Sequence, residues 1–156
     1  MSATLRRRSR LWFCIIWLLA APAFAKTTVI DDSGTLPYNA ALAMRWAQAV
    51  PRGGDGLLMV GQLQLRLHLN VAPFQHHTGR IFLVLPMQQP GGMSASWTTA
   101  GRLLPGAVQS GGRTLVYSGP ITTPFIEDTV QLTITVDGRR MLGTYPVNFR
   151  FEIDED

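Results

Sequence analysis

The chain has 156 residues, 46% of them hydrophobic, with fifteen glycines, ten prolines and a single cysteine. That length suits one domain with room for a real core, and a single cysteine excludes an internal disulfide framework. The formal charge of +4 comes from four arginines within the first ten residues. Beyond residue 25, ten basic residues balance ten acids, so the overall charge gives no sign of nucleic-acid binding and no nucleic-acid partner is expected.

Residues 1–25 read as a secretory signal peptide. Arg6, Arg7, Arg8 and Arg10 form the basic region and Leu11 to Ala21 a short apolar stretch that holds Cys14. Ala23, Phe24 and Ala25 form a small-x-small cleavage site before Lys26. The pattern predicts cleavage after Ala25 and export to the periplasm or cell surface. The apolar stretch is too short and too early for a span, and no later window reaches ~20 apolar residues, so no membrane span is expected after cleavage. Leu11, Trp12 and Phe13 are too bulky to precede a lipidated cysteine. The twin Arg7-Arg8 is followed by a more apolar core than the twin-arginine route needs, so the general secretory route fits best.

Residues 26–36 form a polar N-terminal arm with a β-prone patch, Thr27, Thr28, Val29 and Ile30, and read as a flexible arm or an edge strand. Over 39–50, Leu42, Met44, Trp46 and Val50 alternate as on a strand, but Leu42, Trp46 and Val50 also fit a helical face. The surrounding β pattern favours strand. Pro51 to Gly56 is a turn. The clearest signal follows. Leu57, Met59, Gly61, Leu63, Leu65, Leu67, Leu69 and Val71 alternate with Gln62, Gln64, Arg66, His68 and Asn70, which predicts a long strand with one buried face. Gly61 interrupts that face and marks a bulge or close packing.

Pro73 to Gly79 turns the chain. Arg80 to Met87 is apolar on both faces and should be a central strand. Pro86 to Gly92 is a loop, and Ser94 to Thr99 a short strand centred on Trp97. Ala100 to Gly112 reads as a long connection and Thr114 to Ser118 as a strand. Thr129 to Val136 alternates again, and Asp137-Gly138 carries the signature of a tight hairpin returning through Arg139 to Leu142. The last strand carries Val147, Phe149, Phe151 and Ile153 on one face, with Asn148, Arg150 and Glu152 opposite. The sum is an all-β fold: an antiparallel immunoglobulin-like β-sandwich of about seven or eight strands over residues 37–156, with a closed barrel as the alternative.

No constellation for catalysis stands out. His76 and His77 are adjacent and His68 lies eight residues upstream; with no cysteine and no nearby acid in sequence, turn histidines rather than a metal site are expected. Ser110, Gly111 and Gly112 lack the strand–elbow–helix context of a hydrolase nucleophile. Glu127 and Asp128 read as the solvated start of a strand. No enzyme activity, cofactor or metal is expected. Trp46 and Trp97, joined by Tyr38, Tyr117 or Tyr145, are candidate ligand aromatics, with burial in the core the commoner fate of such a tryptophan.

The charges segregate. Arg45 to Arg113 holds six arginines and one acid, Asp55, whereas seven acids follow from Glu127, ending in Asp154, Glu155 and Asp156. This reads as a solvated face with an acidic tail or, more sharply, as salt-sensitive head-to-tail self-association. A terminal strand must pair or expose its edge, and an unpaired edge binds other chains. The arm could supply a strand to a neighbour.

The layout of Gly143, Tyr145, Val147, Phe149, Phe151 and Ile153, with the arm Thr27 to Ile30, resembles subunits of bacterial chaperone–usher pili. The resemblance implies an incomplete sandwich, filled first by a strand from a periplasmic assembly chaperone and then by the arm of the next subunit. It implies other copies or sibling subunits as partners, joined at a C-terminal edge strand. The chain departs from the pattern in lacking a cysteine pair, in carrying Glu152 and acids where an aromatic is usual, and in offering only Val29 and Ile30 as strong arm anchors. The expected function is a fimbrial or surface-assembly subunit. The alternative is a periplasmic accessory factor, chaperone or carbohydrate-binding module with a closed sandwich.

Overall fold

The computed structural model describes residues 26–37, 42–49, 57–87, 92–140 and 148–155. The signal peptide, the turn at 51–56, Tyr38, Gly143, Tyr145, Val147 and Asp156 lie outside the described residues.

Ten strands are described: β1 (Thr27–Ile30), β2 (Leu36–Pro37), β3 (Met44–Trp46), β4 (Leu58–Asn70), β5 (Thr78–Leu85), β6 (Ser94–Thr99), β7 (Gly106–Gln109), β8 (Gly112–Pro120), β9 (Phe125–Asp137) and β10 (Arg150–Glu155). They form two antiparallel sheets, neither closed into a barrel. One has the order β1-β10-β5-β8. The other has the order β2-β4-β9-β6-β7, with β3 also paired to β4. Among the described residues no helix is long and apolar enough to cross a membrane.

Alternation builds the core. Leu67 and Leu69 of β4, Val130, Leu132 and Ile134 of β9, and Trp97 of β6 face Ile81, Leu83 and Leu85 of β5 and Phe151 and Ile153 of β10 in one buried cluster. β5 is central, between β10 and β8, as its two-sided apolar sequence predicts. β4 and β9 pair in unbroken register over thirteen residues, Leu58 opposite Asp137 and Asn70 opposite Phe125. Gly61 therefore marks no bulge. A Cβ there would lie 2.8 Å from Leu42 Cδ1 and also meet Met44 Sδ, so the glycine lets β3 and its approach pack closely on β4.

Four expectations need correction. The connection 100–112 contains a strand, β7, whose one buried side chain, Val108, is too little to show a period. Asp137-Gly138 opens a 3-10 turn, not a tight hairpin. Gly138 lacks the positive φ that hairpin needs, the Trp46 ring occupies the space a Cβ would take, and Arg139 bonds back to the Asp137 carboxylate at 2.7 Å. Among the described residues a turn between adjacent strands does have a glycine of positive φ, Gly111 (φ 81), between β7 and β8. Glu127 is exposed near the start of β9, as a solvated strand start requires, but Asp128 is not solvated: alternation turns it inward and buries it. Asp154 and Glu155 are not a free acidic tail but belong to β10.

Both lateral sides of the two-sheet stack are stitched. On one side, Asp128 accepts the Leu103 N–H at 2.8 Å, Leu104 O accepts the Trp97 indole N–H at 2.9 Å, and Leu104 N–H reaches Val116 O at 2.7 Å, so the 100–104 loop ties β9 and β6 to β8. On the other, the chain leaves β1, bridges Asp31 to Asn70, and crosses to pair Leu36 with Arg66.

Candidate functional site at the edge formed by β1 and β10

β1 is the proposed arm. Its residues Thr27, Thr28, Val29 and Ile30 are all β-branched, which suits a strand. It pairs antiparallel with β10 in the register Thr27 to Asp154, Thr28 to Ile153, Val29 to Glu152 and Ile30 to Phe151. It stops because Asp31 folds back: its carboxylate accepts the Ser33 N–H at 3.0 Å, and Thr35 N–H closes on Asp32 O at 2.8 Å. That backbone bond holds the Asp31 carboxyl below its usual value.

The C-terminal strand is not an edge. β10 lies between β1 and β5, so the expected free C-terminal edge is occupied, and the sheet's edge at this side is the arm itself. Phe151 and Ile153 are buried on its inner face and Phe149 packs against the same core; Val147 lies outside the described residues. The local sequence marks the faces of the described part of this strand correctly, but not its partners, β1 from the far end of the chain and β5 from its middle.

The outer face of β10 carries the site's electrostatics. Asp154, buried despite its charge, accepts the Thr27 hydroxyl at 2.6 Å and the Arg113 guanidinium at 2.8 Å. Arg113 reaches from β8 across the Phe82 ring, 3.7 Å from its centroid, and stands 3.8 Å from Glu152, which also accepts Arg150 at 2.8 Å. Burial works to raise the Asp154 carboxyl; the Thr27 hydroxyl and the Arg113 and Arg80 cations outweigh it and hold it below its ordinary value. One carboxylate thus joins strands β1, β10 and β8. This cluster was missed in the sequence because its members are up to 127 residues apart.

The arm's two inward side chains act in opposite directions. Ile30 is buried opposite Phe151, which contributes about 1.5–3 kcal/mol. The Thr28 hydroxyl is buried with no hydrogen-bond partner among the described residues, which costs about 1–3 kcal/mol. Val29 points outward and is 60% exposed. The inward side chains nearly cancel, so β1 is held by its four-residue ladder, the bond from Thr27 to Asp154, the backbone bond from Glu155 N–H to Lys26 O at 3.4 Å and the bridge from Asp31 to Asn70.

The other candidates resolve separately. Trp97 is core, 4% exposed, which removes it as a ligand-stacking aromatic. Trp46 is 44% exposed on β3, so the two tryptophans form no joint surface. His68 bonds Glu127 at 2.9 Å and stacks on Phe125; His76 and His77 are exposed in the turn before β5. Among the described residues no group of three His, Cys, Asp or Glu side chains could hold a metal ion. An open depression of about 300 Å³ beside Arg66, Gly101 and Thr129 includes Glu127 and Asp128, but the first is engaged by His68 and the second by Leu103. No known family model, characterised protein or solved structure matches the chain.

Proposed function

We propose that the chain is an exported, non-enzymatic subunit of a fimbrial or other surface assembly, joined to its neighbours by β-strand donation. The observation that carries this reading is the place of β1: an N-terminal arm completes a sheet beside the C-terminal strand.

The strand order supports an immunoglobulin-like sandwich. That fold places strands A, B, E and D in one sheet and C, F and G in the other. Here β2, β4, β9 and β6 are neighbours in the A-B-E-D order, and β5 and β10 adjoin as C and F. The position beside F, which G takes in that fold, is held by the arm. Once β1 leaves, the same position is open to the arm of another copy or sibling subunit, or to a strand of a periplasmic assembly chaperone. Cleavage after Ala25 puts the new N-terminus one residue before β1. A closed accessory factor or carbohydrate-binding module would keep β1 in place permanently, and the burial of Trp97 removes one of the two tryptophans such a module would use.

The test compares the chain from Lys26 with a variant lacking residues 26–30, by size exclusion with light scattering after export to a bacterial periplasm. The reading expects the variant to associate or to co-purify with a chaperone, and to return to monomer with excess peptide spanning residues 26–36. A variant that stays a folded monomer with an unchanged unfolding midpoint contradicts it.

A further inference from the structure

The arm fits its own slot poorly, in a way that specifies a better occupant. Alternation sends Thr27 and Val29 outward and Thr28 and Ile30 inward. Two of these four positions suit their surroundings. The Thr27 hydroxyl meets the Asp154 carboxylate, and Ile30 meets the core opposite Phe151. The central two are reversed. Thr28, opposite Ile153, buries a hydroxyl with no partner among the described residues, while Val29, opposite Glu152, leaves an aliphatic side chain 60% exposed. No shift in register repairs this, because Val29 and Ile30 are adjacent and a one-residue slip would turn Ile30 outward.

We infer that the slot beside β10 is built to receive a strand from a different polypeptide, one with a hydroxyl or other donor opposite Asp154, a β-branched aliphatic residue opposite Ile153, a polar residue opposite Glu152 and a large aliphatic residue opposite Phe151. The inference rests on the strand-donation reading and names the partner within it. A second copy of this chain carries the same Thr28 and Val29, so exchanging one arm for another removes neither mismatch. A strand with the central pair reversed removes both: it fills the inward position with carbon and sets a polar group beside Glu152. The chain's own arm is then a placeholder that keeps the sheet covered until that strand arrives.

The test uses the full chain from Lys26, unaltered, and two fluorescent peptides of identical composition. One has the native sequence of residues 26–31; the other carries Thr28→Val with Val29→Thr. Capture is read by fluorescence anisotropy. The inference expects the exchanged peptide to be captured at a concentration about tenfold lower or less, the factor expected from relieving one buried unpaired hydroxyl. Equal capture of the two peptides overturns the inference and leaves strand donation standing. Capture of neither, at concentrations where the native arm is shown by hydrogen exchange to open, overturns strand donation and this inference with it.

Discussion

The hydroxyl of Thr27 on β1 donates to the carboxylate of Asp154 on β10 at 2.6 Å, and Arg113 on β8 reaches the same oxygen at 2.8 Å. The first of these residues opens the arm and the second lies next to the last described residue of β10. Their bond fixes the arm's register, because a slip by one residue would bring a residue of the opposite face to Asp154.

Replacing Asp154 by Ala leaves the Thr27 hydroxyl and the Arg113 guanidinium without their shared acceptor. The expected loss is about 1–3 kcal/mol, read as a lower urea midpoint at unchanged m. Thr27→Val should cost less. The double variant should lose less than the sum of the two, because both remove one interaction. Additive losses would mean that the two residues act independently.

Acid should weaken the same contact. The Asp154 carboxyl is held below its ordinary value of 3.8. Its ionised form therefore stabilises the fold at every pH above that value, and the contribution is lost as pH falls from there through the lower folded value. Asp31, also lowered, adds to the loss, whereas Asp32, raised by burial, opposes it, since protonation relieves its desolvation. Unfolding midpoints measured between about pH 5 and pH 2 should fall, and Asp154→Asn should flatten the fall. An unchanged slope in that variant would assign the acid sensitivity elsewhere.

On the opposite side of the stack, Asp128 holds the 100–104 loop, and the loop's Leu104 carbonyl holds the Trp97 indole. Asp128→Ala should cost about 1–3 kcal/mol and shift Trp97 emission, while Asn, which keeps an acceptor oxygen, should cost less. Urea melts followed by tryptophan fluorescence give both readouts. Loss of stability with unchanged emission would separate the loop from the indole.

Much of this fold is legible locally. β4 and β9 declare themselves by long period-two runs, β5 by apolar residues on both faces, and β6 by a short β-prone run around Trp97. β7 hides because Gly106, Ala107 and Gln109 give Val108 no pattern to join. Asp128 was legible in principle: carrying the alternation of Val130 and Leu132 two residues back puts it inside, but a charge there reads as a strand start. The arm's strand character is local, and its partner is not. Nothing near Asp154 announces Thr27 or Arg113, so the acids at the end of the chain read as a tail although β10 holds two of them. Trp46 and Trp97 look alike in sequence and differ only in what covers them.

The central claim is that β1 is a separable strand, held in a slot that another strand can take. Native-state hydrogen exchange tests it most directly, by comparing amides of the ladder joining β1 to β10 with those joining β5 to β10 across increasing denaturant. The account predicts that the first set exchanges by a local opening well below the global unfolding free energy, while the second follows global unfolding. Equal protection of the two ladders, merging only at global unfolding, would make β1 an inseparable part of the fold and contradict the account.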